Sequence, residues 1–276
     1  MNIVTGGCSF SNTVDCVDYT RFKMEHDSYQ LDNYKSWALH LEDIVPDCKV
    51  YNTAKPAAGN GYISRAVIYK VNELLEQYKK PDYVFIQLSS CDRKELLVNI
   101  DDATSQTDKN IITHFIPEFD IKDVRYNKDV KLKNNNMLWL KHSYEEDSLM
   151  KHWYKYYHSV EVGYLRTLEH ILRLQWFFKS NDISYKFFSG WNIFNELKVP
   201  RNPIELRHLW KMIDWDNFWF HRKFGGITQW SDENLPFKDR YVTGEILNEE
   251  GFPLDQHPSN IAHREFAKQV VSKWIK

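Results

Sequence analysis

The chain begins with Asn2-Ile3-Val4-Thr5-Gly6-Gly7-Cys8-Ser9-Phe10-Ser11, in which strand-type residues run directly into two glycines, a small residue and a serine. A serine exposed at a glycine-loosened strand end is well placed to be a nucleophile, and the backbone N–H groups beside it can serve as an oxyanion hole. The alternative is a plain strand-to-helix turn with Ser11 or Asn12 as its N-cap, because small-residue turns after a first strand are common in α/β folds.

An acid and a histidine stand close together near the other end of the chain. The stretch Asp255-Gln256-His257-Pro258-Ser259 precedes a segment with an apolar residue at every fourth position, which predicts a helix from Ile261 to Lys276. Nucleophilic acyl transfer needs a serine, a histidine that takes the serine proton, and an acid that orients the histidine ring. The alternative is a turn that carries a surface histidine.

Taken together, the two ends resemble the SGNH (GDSL-type) hydrolase superfamily. Gly7-Cys8-Ser9-Phe10-Ser11 is similar to its first block, Gly-Asp-Ser-Leu-Ser, and Asp255-Gln256-His257-Pro258-Ser259 is similar to its last block. The resemblance implies a flavodoxin-like α/β fold, in which a parallel sheet lies between layers of helices. It also implies a triad of Ser9, His257 and Asp255. Many members have the acid three residues before the histidine, where this chain has Leu254, so that Asp255 represents a shorter spacing.

The second block of the superfamily is a strand followed by a loop with a glycine whose N–H faces the oxyanion. Lys49-Val50-Tyr51-Asn52 is strand-like, and a loop of small residues follows it. The resemblance makes Gly59 the oxyanion glycine, with Asn60 beside it as a second candidate donor. A turn that caps the next helix is compatible with this role.

The third block shows a departure from the superfamily. The buried strand before it ends in Ser89-Ser90-Cys91-Asp92-Arg93, where the superfamily has Gly-x-Asn-Asp. Cys91 falls on the position of the asparagine that donates to the oxyanion, and a thiol is a poor donor. Losing one such donor costs roughly 100- to 1,000-fold in rate. Either Ser90, Asn60 or another group substitutes, or the activity is weak, altered or absent.

The apolar pattern alternates between strand and helix over the first 90 residues, which predicts a parallel sheet with right-handed crossovers. A polar stretch from residue 94 to residue 147 breaks this pattern and predicts an insertion or lid, within one domain that spans residues 1–276. The elements predicted after the first strand are a helix over Tyr34–Ile44, a strand over Lys49–Asn52, a helix over Tyr62–Tyr78, a strand over Pro81–Leu88, a helix over Leu149–Ser180 and a strand over Ile183–Ser189.

Residues 201–250 are rich in aromatic side chains, and we interpret this segment as a substrate-binding wall. Flat rings with polar edges suit sugar rings and other amphipathic ligands. The alternative is a minor core that folds over the sheet. The rings are those of Trp210, Trp215, Phe218, Trp219, Phe220, Phe224 and Trp230.

Composition narrows the class of protein. Hydrophobic residues make up 42% and charged residues 27% of the 276 residues, as in an ordinary globular chain. A net charge of −2 gives no argument for nucleic acid or an anionic membrane as a partner. The first strand leaves no room for a signal peptide and no apolar run reaches about 18 residues, so we expect a cytoplasmic protein. The four cysteines lack zinc spacing and suggest reduced thiols; they are Cys8, Cys16, Cys48 and Cys91.

These observations predict a serine esterase that acts on an acyl ester through Ser9, His257 and Asp255, with no metal or organic cofactor. The resemblance implies carbohydrate O-acetyl esters, lipid esters or thioesters as substrates, and the many aromatic residues favour an acetylated saccharide. The extended Gly-x-Ser-Phe form is similar to that of uncharacterised SGNH-like proteins of bacteria and their phages. The alternative is a non-catalytic SGNH-fold binding or structural protein. A nucleotide-binding protein is disfavoured, because the chain lacks both the three-glycine pattern and a Gly-Lys-Ser/Thr phosphate loop.

Overall fold

The computed structural model of the protein describes residues 1–12, 34–56, 58–99, 112–113, 135–140, 155–194, 204–253 and 255–275. Cys16 and Leu254 lie outside these ranges. The strands are β1 Asn2–Gly6, β2 Lys49–Asn52, β3 Tyr83–Leu88, β4 Lys94–Asn99, β5 Ile112–Thr113, β6 Asn135–Leu140 and β7 Ser184–Ser189. The helices are α1 Trp37–Ile44, α2 Asn60–Glu76, α3 Val160–Ser180, α4 Ile204–Met212, α5 Ile227–Asn234, α6 Phe237–Arg240 and α7 Asn260–Gln269, with 3-10 turns at Trp215–Asn217 and Val271–Trp274.

Four strands form an all-parallel central sheet in the order β2-β1-β3-β7. β1 pairs with β2 on one side and with β3 on the other. The strands that follow β1 in the chain are therefore added on opposite sides of it, and the strand order changes direction at β1. This reversal is the point at which open α/β sheets form a crevice outside the carboxyl ends of their strands. The predicted α/β class is confirmed, and the architecture is consistent with a flavodoxin-like fold.

Helices cover both faces of the sheet because successive side chains of each strand point to opposite faces. Phe188 of β7 contacts Trp37 of α1 and Phe266 of α7, with ring centroids 5.0 and 5.5 Å apart. Tyr185 is an odd number of residues away in the same strand and contacts Phe178 of α3 on the other face, at 5.3 Å. The sheet therefore lies between a layer with α1 and α7 and a layer with α3.

The observed elements lie where they were predicted, but several helix bounds differ. The helix predicted over Ile261–Lys276 runs over Asn260–Gln269 and is followed by a 3-10 turn over Val271–Trp274. The first helix begins at Trp37 rather than Tyr34. The predicted long helix is interrupted: residues 155–156 are helical, residues 157–159 are not, and α3 begins at Val160, where the hydroxyl of Ser159 accepts a hydrogen bond from the Val162 amide at 3.2 Å and caps the first turn. Residues 149–154 lie outside the described part of the chain.

The segment from 94 to 147 contains strands that the sequence did not predict. β4, β6 and β5 form a separate antiparallel sheet in the order β4-β6-β5, with Lys94 opposite Leu140. The pairing joins segments about 40 residues apart, and no short turn signal between them marks a hairpin. The remaining residues of the predicted lid lie outside the described ranges, so a lid function stays a prediction.

The aromatic side chains of residues 201–250 pack mainly on one another and on the main core. Their rings contact each other and Phe194 with centroids 4.1 to 6.3 Å apart; they are Trp210, Trp215, Phe218, Phe220 and Phe224. Trp219 and Trp230 contact Phe266 of α7. This packing corresponds to the minor-core alternative, and a substrate-binding role for the segment stays a prediction. Within the described residues, no helix has the length and apolarity needed to cross a membrane.

Candidate active site

Ser9 lies in a tight turn that directly follows β1. The Ser11 amide donates to the Cys8 carbonyl at 2.9 Å, which closes the turn around Ser9 and Phe10. The Ser11 hydroxyl does not cap a following helix; it accepts a hydrogen bond from the indole N–H of Trp37 at 2.8 Å and donates to Gln87 at 3.1 Å. The turn is therefore anchored to α1 and to the neighbouring strand.

Gln87 is the residue of β3 that holds the Ser9 turn in place. Its side chain is fully buried, and Oε1 accepts hydrogen bonds from the Cys8 amide and the Ser11 hydroxyl, both at 3.1 Å. Its own amide group donates to the Leu88 carbonyl at 2.5 Å. Sequence reasoning missed this residue. The signal was a single amide side chain inside the otherwise apolar run Val84-Phe85-Ile86-Gln87-Leu88.

Gly7 is required by the close approach of Gln87 and Ser11 to the backbone. A Cβ on Gly7 would overlap the Ser11 side chain and lie 2.7 Å from Gln87 Oε1. Real Cβ atoms do not come this close to a neighbour. A larger residue would therefore separate the Ser11 and Gln87 side chains from the turn and break the hydrogen bonds that define it. The glycine pair before Ser9 thus serves close packing.

The loop that carries His257 is held by two other parts of the chain. The Val242 amide donates to the His257 carbonyl at 2.9 Å, and the Ser259 amide donates to the Arg240 carbonyl at 3.0 Å. The Tyr34 hydroxyl donates to the Pro258 carbonyl at 2.9 Å. The backbone of residues 240–242 therefore supports the loop that carries His257.

His263 of α7 lies behind this loop and is fully buried. Its Nε2 is 2.8 Å from the Tyr34 oxygen, and since the Tyr34 proton goes to Pro258, His263 Nε2–H is the donor of this bond. Burial, reinforced by the nearby His40 and His257, lowers the pKa of His263 to about 3.

Ser9, His257 and Asp255 form one continuous chain of hydrogen bonds. Ser9 Oγ lies 2.7 Å from His257 Nε2, and His257 Nδ1 lies 2.6 Å from Asp255 Oδ1. Burial favours the neutral acid, but the hydrogen bonds and charge of His257 outweigh it, so the pKa of Asp255 is lowered. An ionised Asp255 keeps the proton on Nδ1, which leaves the Nε2 lone pair facing the serine hydroxyl.

The four remaining predicted site residues differ in what their polar groups do. The Asn60 side chain donates to the Ser89 carbonyl at 3.0 Å and to the Thr167 hydroxyl at 3.1 Å, which uses both amide hydrogens. The Cys91 thiol points toward the Ile193 carbonyl at 3.8 Å. Both side-chain hydrogens of Asn60 are thus used within the fold, and a role of Asn60 as an oxyanion donor stays a prediction.

Gly59 and Ser90 lie at the same edge of the sheet as Ser9. Gly59 is buried and directly precedes α2. Ser90 begins a turn after β3, in which the Arg93 amide donates to the Ser90 carbonyl at 3.4 Å. Within the described ranges, neither the Ser9 nor the Gly59 amide donates a hydrogen bond. These two amides therefore have no hydrogen-bond acceptor within the described ranges.

The arrangement has the parts needed for nucleophilic catalysis by serine: a hydroxyl, a base in contact with it and an acid that fixes the base. The described residues contain no group of three His, Cys, Asp or Glu side chains that could hold a metal ion. Within the described residues, Cys8, Cys48 and Cys91 form no disulfide bond.

Comparison with known proteins gives a structural similarity but no family match. No protein-family model matches the sequence, and no curated protein matches it. Among solved structures, the chain is similar to the crystal structure of an acetyl xylan esterase, AlAXEase, with 10% sequence identity and a TM-score of 0.35 over 99% of each chain. At this identity and TM-score, the similarity does not bear on the activity of the protein.

Proposed function

We propose that this protein is a serine ester hydrolase of SGNH type, with Ser9 as the nucleophile. The observation that carries the proposal is the unbroken hydrogen-bond chain from Ser9 Oγ through His257 to Asp255, with distances of 2.7 and 2.6 Å. Ser9 and His257 are 248 residues apart in sequence, so their contact depends on the whole fold. A serine in contact with a histidine that is itself fixed by an acid is the arrangement that activates a hydroxyl.

In the first half-reaction, Ser9 Oγ attacks the carbonyl carbon of the ester while His257 Nε2 takes the hydroxyl proton. The tetrahedral intermediate carries its negative charge on the former carbonyl oxygen. His257 then gives the proton to the alcohol oxygen as the ester C–O bond breaks, which releases the alcohol and leaves an acyl group on Ser9. Asp255 stabilises the imidazolium throughout.

In the second half-reaction, water attacks the acyl-Ser9 carbonyl and His257 takes a proton from that water. Collapse of the second intermediate returns the proton to Ser9 Oγ and releases the carboxylic acid. The amides of Ser9 and Gly59 are our candidates for the oxyanion hole, because both are N–H donors at the same edge of the sheet. With Cys91 at the position of the superfamily asparagine, we expect two donors rather than three.

The substrate class we propose is an acyl ester of a small molecule or saccharide, and O-acetylated carbohydrates are the first to test. Trp191 supports this choice: it lies directly after the Ser189–Gly190 end of β7 and contacts Phe10, with ring centroids 5.1 Å apart. Phe10 in turn contacts the His257 ring at 5.1 Å. Aromatic rings near the candidate nucleophile suit an amphipathic substrate such as an acylated sugar, and one face of the Trp191 ring is covered by the Arg93 guanidinium.

Labelling by a fluorophosphonate probe, together with turnover of p-nitrophenyl acetate, tests the proposal. We expect the wild type to be labelled on Ser9 and to turn over the ester. Ser9→Ala should abolish both, and the control Ser180→Ala, which changes an exposed helix-end serine, should abolish neither. A folded wild type that is neither labelled nor active would overturn the proposal and favour a non-catalytic binding protein of the same fold.

A further inference from the structure

Arg93 lies at the carboxyl edge of the central sheet, where it stacks on an aromatic ring but has an unpaired guanidinium nitrogen among the described residues. It closes the turn that follows β3, and its guanidinium lies over the ring of Trp191, with the guanidinium carbon 5.4 Å from the ring centroid. In this geometry the arginine is stacked by a cation–π contact, which leaves its in-plane N–H groups free to donate. β3 and β7 are neighbours in the sheet, so both residues stand at the carboxyl edge.

One end of the Arg93 guanidinium lacks a hydrogen-bond partner. Its Nη1 is buried, and among the described residues no acceptor lies within hydrogen-bond distance of that atom. Arg93 as a whole is half-buried, and an unpaired buried donor on a charged group is costly. Cation–π stacking does not satisfy these donors. The fold therefore holds a charged group in a state that an anionic partner would stabilise.

Aromatic contacts connect Arg93 to the candidate catalytic residues. Trp191 contacts Phe10 with ring centroids 5.1 Å apart, and Phe10 contacts the His257 ring at the same separation. A Cβ added to Gly190 would lie 3.1 Å from the Phe10 ring, so the end of β7 packs directly on the residue after Ser9. Arg93 and Ser9 thus flank one aromatic cluster formed by Phe10 and Trp191.

Arg93 also lines a pocket between the end of β3 and the first turns of α2 and α3. The space amounts to about 350 Å³ including its open mouth. Two arginines and one aspartate contribute to its lining, namely Arg93, Arg166 and Asp92, with His158 and His170 beside them. Apart from the histidines, the charges sum to a single positive charge, which suits a monoanion better than a dianion.

We propose that Arg93 binds a carboxylate carried by the ester substrate, so that the enzyme prefers acidic esters over neutral ones. The proposal rests on the proposed function, because it names the substrate class of the same site. A planar guanidinium held flat on Trp191 presents its donors at its edge, in the geometry that a carboxylate accepts. Arg93 would act in substrate binding and takes no part in bond making.

A matched pair of esters tests the preference: 4-acetoxybenzoate carries a carboxylate, and 4-acetoxybenzamide is its neutral counterpart. A hydrogen bond to a charged group contributes about 1.5–3 kcal/mol, which corresponds to a factor of about 10 to 100. We therefore expect wild-type kcat/KM to favour the acidic ester by about that factor. Arg93→Gln should bring the ratio of the two kcat/KM values close to one, and Arg93→Lys should give an intermediate ratio.

Lys79→Gln is the control for loss of one positive charge, because Lys79 is exposed and lies before β3, at the opposite edge of the sheet. This variant should keep the wild-type ratio. The wild type itself can overturn the inference: equal kcat/KM values for the two esters would show that no carboxylate site operates. The ratio is measured within each protein, so a general loss of activity in a variant does not affect it.

Binding to Ser9→Ala separates this inference from the proposed function. Calorimetry with 4-acetoxybenzoate should give at least tenfold tighter binding than with 4-acetoxybenzamide, and the double variant with Arg93→Gln should lose that difference. If the wild type hydrolyses neither ester but Ser9→Ala retains the difference, the esterase proposal fails and the carboxylate site stands. If the wild type hydrolyses both esters equally, the carboxylate site fails and the esterase stands.

Discussion

Asp255 Oδ1 accepts two hydrogen bonds from His257, one from ring Nδ1 at 2.6 Å and one from the backbone amide at 2.8 Å. The second bond folds the chain back over two residues, and this brings the carboxylate beside the ring. The short Asp-x-His spacing therefore produces a tight local turn in which acid and base move as one unit. The wider spacing that is frequent in the SGNH superfamily is not needed for this contact.

Asp255→Asn should lower kcat/KM for p-nitrophenyl acetate by about 10³- to 10⁴-fold, because an amide N–H facing Nδ1 selects the tautomer with its proton on Nε2, which cannot take the serine proton. The control is Asp182→Asn, which changes a fully exposed aspartate. Steady-state kinetics measures the effect, with circular dichroism to check folding. A folded Asp255→Asn enzyme within tenfold of the wild type would contradict the role of Asp255.

Gln87→Leu should destabilise the protein by about 2–4 kcal/mol, because it leaves the Cys8 amide and the Ser11 hydroxyl buried without their acceptor. The same change should slow fluorophosphonate labelling of Ser9, since the turn loses its anchor. Urea unfolding and labelling kinetics measure the two effects. Gln269→Leu, at an exposed position of α7, should change neither by much. Unaltered labelling in a destabilised Gln87→Leu would limit Gln87 to a role in stability.

Cys91→Ala should change kcat/KM by less than about threefold. The thiol is a weak donor and points toward the Ile193 carbonyl, so its removal takes no strong donor away from an oxyanion. Kinetics on the neutral ester tests this expectation, with Cys48→Ala as the control for loss of a partly exposed thiol. A loss of 30-fold or more would mean that Cys91 does replace the superfamily asparagine.

His263 should make the protein less stable as the pH falls. Its pKa is about 3 in the fold and about 6.5 in an unfolded chain, so below pH 6.5 the unfolded state binds a proton that the folded state does not. This single group should cost about 2 kcal/mol of unfolding free energy between pH 7 and pH 5. His263→Gln keeps a donor toward Tyr34 but does not titrate, so its urea stability should fall less over this range. Equal losses in both proteins would contradict the low pKa.

The sequence indicated the sheet well because strands and helices leave local patterns. Val84-Phe85-Ile86 reads as a buried strand without any knowledge of its neighbours, and the predicted strand and helix bounds agree with the structure to within a few residues for β2, α2 and β7. The strands β4 to β6 were missed, because their pairing joins segments far apart in the chain and no local turn marks it.

The residues of the candidate site also divide into those that local motifs predicted and those that only the structure showed. Ser9, Asp255 and His257 were singled out from motifs of a few residues each, whereas the support by Gln87 and the stacking of Arg93 on Trp191 were not predicted. Asn60 was predicted as a second candidate oxyanion donor, and the fold directs its side-chain amide to Ser89 and Thr167. A sequence motif shows which chemical groups are present, but which of them remain available depends on contacts with distant residues.

The sequence by itself determined the α/β class and singled out Ser9, His257 and Asp255 as the candidate nucleophile, base and acid, because apolar periodicity and short motifs are properties of neighbouring residues. Only the tertiary structure decided that Ser9 Oγ and His257 Nε2 lie 2.7 Å apart, that Gln87 is satisfied by the Ser9 turn and that Arg93 Nη1 has no hydrogen-bond partner among the described residues. These relationships depend on the parallel register of β1, β3 and β7, which brings the ends of three separate strands to one edge of the sheet.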